Sequence, residues 1–157
     1  MISTQEIYNR IENKGLTLPK VAPPAANYVP YVLSGTQLYI SGQLPFLNGT
    51  HSHIGRLGDT LSDAEGIEAA QNCALNILAQ LDGAIESDWS RLRRCIKLGG
   101  FVNSTPHFTA QPLIINGASD LIGEVLGEYG QHTRFAVSAN SLPFVAAVEI
   151  DALFEIR

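Results

Sequence analysis

Arg134 and Glu149 are the residues of this chain best suited to chemistry on a small acid. A planar guanidinium grips a carboxylate through two parallel hydrogen bonds, and a carboxylate beside it can take a proton from water or orient it. The surrounding pattern reads as two final strands, Arg134 to Asn140 and Phe144 to Ile156. In the second, Ala146, Val148, Ile150, Ala152, Phe154 and Ile156 make an apolar face, and Glu149 lies on the mixed face opposite. In the first, Phe135, Val137 and Ala139 are the apolar set. A hairpin turning at Ser141-Leu142 joins the two apolar faces when Phe135 meets Val148, and that register sets Arg134 opposite Glu149. The same pair also reads as a cross-strand ion pair on a half-exposed sheet, worth at most about 1 kcal/mol. On residue physics alone the structural reading is the stronger one, because such pairs are common and perturb each other without serving a function.

The elements that must carry these residues follow from pattern. Ser3 with Glu6 forms a capping box ahead of Ile7 and Ile11, and Gly15 stops the short helix. The stretch from Leu18-Pro19 to Pro23-Pro24 suits neither helix nor central strand and reads as an extended connector. Tyr31 to Leu33 and Leu38 to Gly42 read as a hairpin, and Phe46 to Leu61 as a surface loop with at most short edge pairing. Ser62 and Glu65 open the clearest helix, with Ile67, Ala70, Ala74, Ile77, Leu78 and Leu81 on one face before Gly83. Cys95 to Asn103 reads as a strand whose Gly99-Gly100 marks a bulge or a close approach. Ser119 to Gly130 reads as a second packing helix with Ser119 as its N-cap. The order implies an α+β domain, two helices on one face of a mainly antiparallel sheet, with a short N-terminal helix added.

The chain has 157 residues, the size of one domain, which we divide into a helix and connector over 1–24 and a main fold over 25–157. Charged residues are 16%, against roughly 25% in an average soluble protein, so part of the surface should be covered by other subunits. The net charge of −5 and the scattered basic residues argue against nucleic acid as a partner. No apolar run approaches a membrane span or a signal segment, and two cysteines without metal or disulfide spacing fit a reducing cytoplasm.

Other candidates have plainer readings. His51 and His53 lack further ligands for a metal and fit a solvated loop. His132 could reach the rim of a site as a proton shuttle or simply lie exposed before its strand, and His107 has no visible partner. Cys73 falls near the apolar stripe of the strongest helix, and Cys95 follows two arginines without a histidine in register.

Several separated motifs together resemble the Rid family of enamine/imine deaminases, also called the YjgF type and often labelled endoribonuclease L-PSP. They are Pro30-Tyr31, Ser41-Gly42-Gln43-Leu44-Pro45, Arg134, Leu142-Pro143 and Val148-Glu149-Ile150, and the resemblance runs from about Ala25 to the C-terminus. It implies a chorismate-mutase-like fold, a homotrimer with sites between subunits, and hydrolysis of 2-imino acids to 2-keto acids and ammonia without a cofactor. It also implies that Arg134 grips the substrate carboxylate, that Glu149 positions the water, and that Tyr31 and Ser41 line the cleft. Three departures mark a divergent subgroup, the first being the N-terminal helix and Pro-rich connector, which extend beyond the family's usual short start. Ala136 stands where the family often has cysteine, and the family's cleft asparagine is replaced by Ser119 unless Asn116 takes its place. The resemblance favours the deaminase over two alternatives: a trimer that binds small carboxylates without turnover, and an endoribonuclease, which the acidic charge disfavours.

Overall fold

The structure is a computed structural model and describes residues 2–21 and 27–157. Pro23-Pro24 and the expected boundary after residue 24 lie outside the described residues. The helix α1 (Thr4–Asn13) starts where Ser3 Oγ accepts from the Glu6 amide, and it buries Ile7 and Ile11. Strands β1 (Tyr31–Ser34) and β2 (Gln37–Gln43) form the expected hairpin. The helix α2 (Asp63–Ala84) carries the full capping box, Ser62 and Glu65 satisfying each other's backbone amides. Then come β3 (Leu92–Asn103), α3 (Gln111–Leu126), β4 (Thr133–Ala139) and β5 (Val148–Ile156). The fold is α+β and chorismate-mutase-like, with a mainly antiparallel sheet in the order β1-β2-β5-β3-β4.

Helices cover one face of the sheet, over Leu38, Ile40, Leu98, Val102, Val148, Ile150 and Phe154. Two glycines let α2 and α3 approach closely. A Cβ on Gly117 would collide with the Ile67 carbonyl, and one on Gly66 would come 3.0 Å from Ile114. The α1 end is tied down by Asp82, whose carboxylate accepts from Tyr8 at 2.9 Å and from the buried Trp89 indole at 2.7 Å. The opposite face is open and carries Val32, Tyr39, Phe101 and Val137, each at least 40% exposed, the kind of apolar surface the low charge content foreshadows.

Two expectations fail here. The last two strands do not pair: β4 runs parallel to β3, with Leu98 beside Arg134 and Phe101 beside Val137, while β5 lies between β2 and β3. The helix between β3 and β4 acts as a crossover and delivers β4 parallel to its predecessor, which a hairpin cannot do. The link from β4 to β5 turns through Phe144 and Val145, both in the left-handed region, and carries the chain past β3. The second error concerns α3. It begins at Gln111 with a proline in its first two positions and no side-chain cap, so Ser119 sits in mid-helix rather than at the N-cap. Gly99-Gly100 mark close approach, as Gly99 lies beneath Asp151 and Phe135, and Gly100 beneath Ile115. The irregularities of β3 fall earlier, between Leu92 and Lys97.

Candidate functional site

Residues opposite one another in a ladder share a face. Arg134, level with Leu98, therefore points to the helix side of the sheet, and Glu149, level with Phe101, points to the open side. They stand two strands and three residues apart, about 14 Å along the sheet by strand geometry, so the Arg134–Glu149 pair expected from a hairpin does not form within one chain. The structure gathers the expected site residues into two separate groups.

The first group lies around the irregular end of β2. Between Ile40 and Gln43 the register with β5 shifts, which turns Gly42 toward Glu149. The Glu149 carboxylate rests against Gly42 so closely that a Cβ there would overlap it. Burial first, and the neighbouring Asp151 second, raise the pKa of Glu149 from its ordinary value. Ser41 donates through Oγ to the Val29 carbonyl and through its amide to the Pro30 carbonyl, both at 2.9 Å, and so pins the entry to β1. Tyr31, opposite Ile40, packs half-buried against the core. Ser41 also borders a cavity of about 280 Å³ on the open face, with Tyr39, Lys97 and Asp151 in its walls. Gly42 also borders a recess of about 300 Å³ in which Phe46, His51 and Phe144 meet. The rings of Phe46 and His51 stack at 4.2 Å, and Phe144 closes on them at 6.0 and 5.2 Å.

The second group joins β4 to α3. Arg134 donates from Nη1 to Ser119 Oγ at 3.0 Å and from Nη2 to the Pro112 carbonyl at 3.2 Å. Ser119 also meets His132 Nε2 at 3.0 Å, and His132 Nδ1 lies 2.6 Å from the Gly130 carbonyl. His132 is thus half-buried and bonded on both ring nitrogens rather than simply exposed. Ser119, read as a cleft residue, touches the arginine itself. Sequence reasoning held Gly42 only as part of a motif and a strand end and missed its contact with Glu149, along with Asp151 and this role of His132; the bulge next to Ser41 is visible only once β2 is paired with β5.

The remaining candidates are quieter. Cys73 is buried and its thiol is pushed up well above the ordinary range by burial, and Cys95 is pushed up to about 12 for the same reason, so neither is a ready nucleophile. His53 stands 3.5 Å from Glu68. Among the described residues no three His, Cys, Asp or Glu side chains are grouped to hold a metal, and no helix is long and apolar enough to cross a membrane.

Comparison with known proteins places this arrangement. Protein TCP17 of Trypanosoma cruzi is 46% identical over 158 residues, covering 100% of this chain and 98% of that protein. The crystal structure of Atu1372 from Agrobacterium tumefaciens, a protein of unknown function, superposes with a TM-score of 0.93 at 50% identity, over 98% of this chain and 94% of the other. Escherichia coli TdcF with bound serine shares the fold at a TM-score of 0.59 and 20% identity, over 88% and 94% of the two chains. Residues 8–155 match the family model described as "YjgF/chorismate_mutase-like, putative endoribonuclease", and the chain belongs to this YjgF/Rid family.

Proposed function

We propose that the protein hydrolyses small 2-imino acids to 2-keto acids and ammonia, in clefts that pair the Arg134 group of one copy with the Glu149 group of another. The observation that carries this reading is the state of Arg134. Two of its N–H bonds are spent on Ser119 and Pro112, and the guanidinium is thereby held while three further N–H groups remain for a carboxylate. Glu149, half-buried and with a raised pKa, has the character of a general base. The two groups face opposite sides of the sheet, so a small substrate touches both only if a second copy supplies one of them. The apolar open face gives such a homotrimer a surface to bury.

In the reaction, Glu149 takes a proton from water as the oxygen bonds to C2 of the iminium, and the C=N electron pair moves to nitrogen. Glu149 returns that proton to the amino nitrogen of the resulting carbinolamine. The C–N bond then breaks with ammonia as the leaving group while the hydroxyl proton passes to Glu149 and the O–H pair closes the C=O, so that one water is consumed and one proton released for each keto acid formed. Arg134 neutralises the carboxylate throughout and Tyr31, Ser41 and Ser119 shape the cleft around it. The protonated imine is already electrophilic, and no cofactor is needed for the step. The aromatic recess beside Gly42 offers the substrate's side chain a place.

The second reading, a trimer that binds carboxylates without turnover, draws support from the serine bound to TdcF, which is not an imine. The test is ammonia release from imino acids generated in place by an amino-acid oxidase. Acceleration by the wild type that disappears in Arg134→Ala is the expected result. No acceleration with small, aliphatic or aromatic side chains would leave the binding reading in its place.

A further inference from the structure

We propose that His132 is a positioning residue for the carboxylate grip, acting on Arg134 through the hydroxyl of Ser119; the proposal rests on the reading of Arg134 as the carboxylate anchor. The direction of each hydrogen bond follows from the one at the end. The Gly130 carbonyl can only accept, so His132 Nδ1, 2.6 Å away, carries the hydrogen. In the neutral ring of that tautomer the lone pair is on Nε2, 3.0 Å from Ser119 Oγ, and the serine donates to it. With its hydrogen committed, Ser119 Oγ offers its lone pairs to Arg134 Nη1 at 3.0 Å, which is the only direction a guanidinium can accommodate. The chain of bonds therefore runs one way, from Arg134 through Ser119 and His132 to Gly130.

Its far end is fixed by packing. Gly130 is buried against α3, where a Cβ would come 2.5 Å from the Ile122 carbonyl, so the acceptor that sets the polarity cannot drift. Ser119 lies on the same helix. The Pro112 carbonyl holds Nη2 from the start of that helix, and the guanidinium is caught between two points of α3. A long arginine side chain free in water loses its rotamer freedom when a ligand binds; one held in advance does not. Without the imidazole, the Ser119 hydroxyl rotates freely and can turn its hydrogen toward the guanidinium, which then loses an acceptor.

The test uses the full chain and separates this role from simple structural support. Binding of a 2-keto acid and of its carboxamide analogue is followed by protein-observed NMR, alongside kcat, KM and Tm. His132→Ala and Ser119→Ala are each expected to weaken the keto acid, and to raise KM for imino acids, by roughly tenfold. In His132→Ala, whose side chain hydrogen-bonds only to Ser119 and Gly130 among the described residues, the amide is unaffected and kcat stays within about twofold. The double variant is expected to be no worse than either single one, as befits two links of one chain. His132→Gln, which keeps an acceptor for the serine, is expected to restore most of the affinity at the Tm of the alanine variant. Equal losses for keto acid and amide with a lowered Tm would show a structural role and overturn the proposal. So would single variants that bind like the wild type, or a wild type with no affinity for keto acids. If keto-acid binding responds as expected but no imine is turned over, the deaminase reading falls and the positioning role stands.

Discussion

The carboxylate of Glu149 lies against the Cα of Gly42, with no room for even a methyl group between them. Gly42→Ala is therefore expected to swing the carboxylate away from its place rather than to unfold the chain, because Gly42 is exposed and the Glu149 side chain can rotate. Displacing a reacting group by about an ångström costs on the order of a hundredfold. Steady-state kinetics should show that loss mainly in kcat, with unfolding midpoints close to the wild type.

The pKa of Glu149 is raised from its ordinary value because the group is desolvated and because Asp151 sits beside it. The base must be ionised to act, so kcat/KM is expected to rise with pH through this raised pKa. Asp151→Asn removes the repulsion and leaves the burial, and the acidic limb should move to lower pH without reaching that of an exposed glutamate. The stability linked to this group has the opposite sign. The folded state holds the proton more tightly than the unfolded one, so this contribution is full below the unfolded pKa and is lost as pH rises through the folded one. Parallel pH titrations of activity and of urea midpoints check both signs.

Phe144 is 65% exposed, yet its ring closes the recess formed by Phe46 and His51. Phe144→Ala is expected to cut kcat/KM for imino acids with large apolar side chains by roughly tenfold, the value of about one or two lost methylene contacts. Small imino acids should be affected far less. Competition between an alanine-derived and a phenylalanine-derived imine in one assay reads the ratio directly.

Gly117 packs on the backbone of Ile67, and the carbonyl there cannot step aside as a side chain could. Gly117→Ala should force α2 and α3 apart and destabilise the fold by about 1–3 kcal/mol or more, measured by chemical denaturation. Since α3 also carries Ser119, a surviving variant is expected to bind carboxylates less tightly as well.

The parts of the fold legible in the sequence are those specified locally. The α2 helix announces itself through the Ser62–Glu65 box and an apolar stripe, and its core residues Ala70, Ala74, Ile77, Leu78 and Leu81 are buried. The faces of β5 were equally plain, since alternation fixes which side chains share a side. Alternation does not name the neighbouring strand, however. Across the intervening β3, the apolar face of β5 shares its side of the sheet with Arg134, Ala136 and Ser138 of β4, whereas Phe135 and Val137 look the other way. That arrangement depends on a crossover through α3, whose true start at Gln111 has no side-chain cap to reveal it. Residue types suited to chemistry could thus be read, and Arg134 and Glu149 singled out as candidates, while their separation could not.

The placement of Arg134 and Glu149 on opposite faces has a genetic reading. In an assembly whose clefts each draw on two chains, a chain lacking the arginine still contributes a sound glutamate, and a chain lacking the glutamate a sound arginine. Mixed in equal amounts and allowed to reassemble, Arg134→Ala and Glu149→Gln, each inactive alone, would regain activity in those clefts that combine the intact halves. Two defective alleles of this one gene would then complement each other, whereas a double change on a single chain would be rescued by neither.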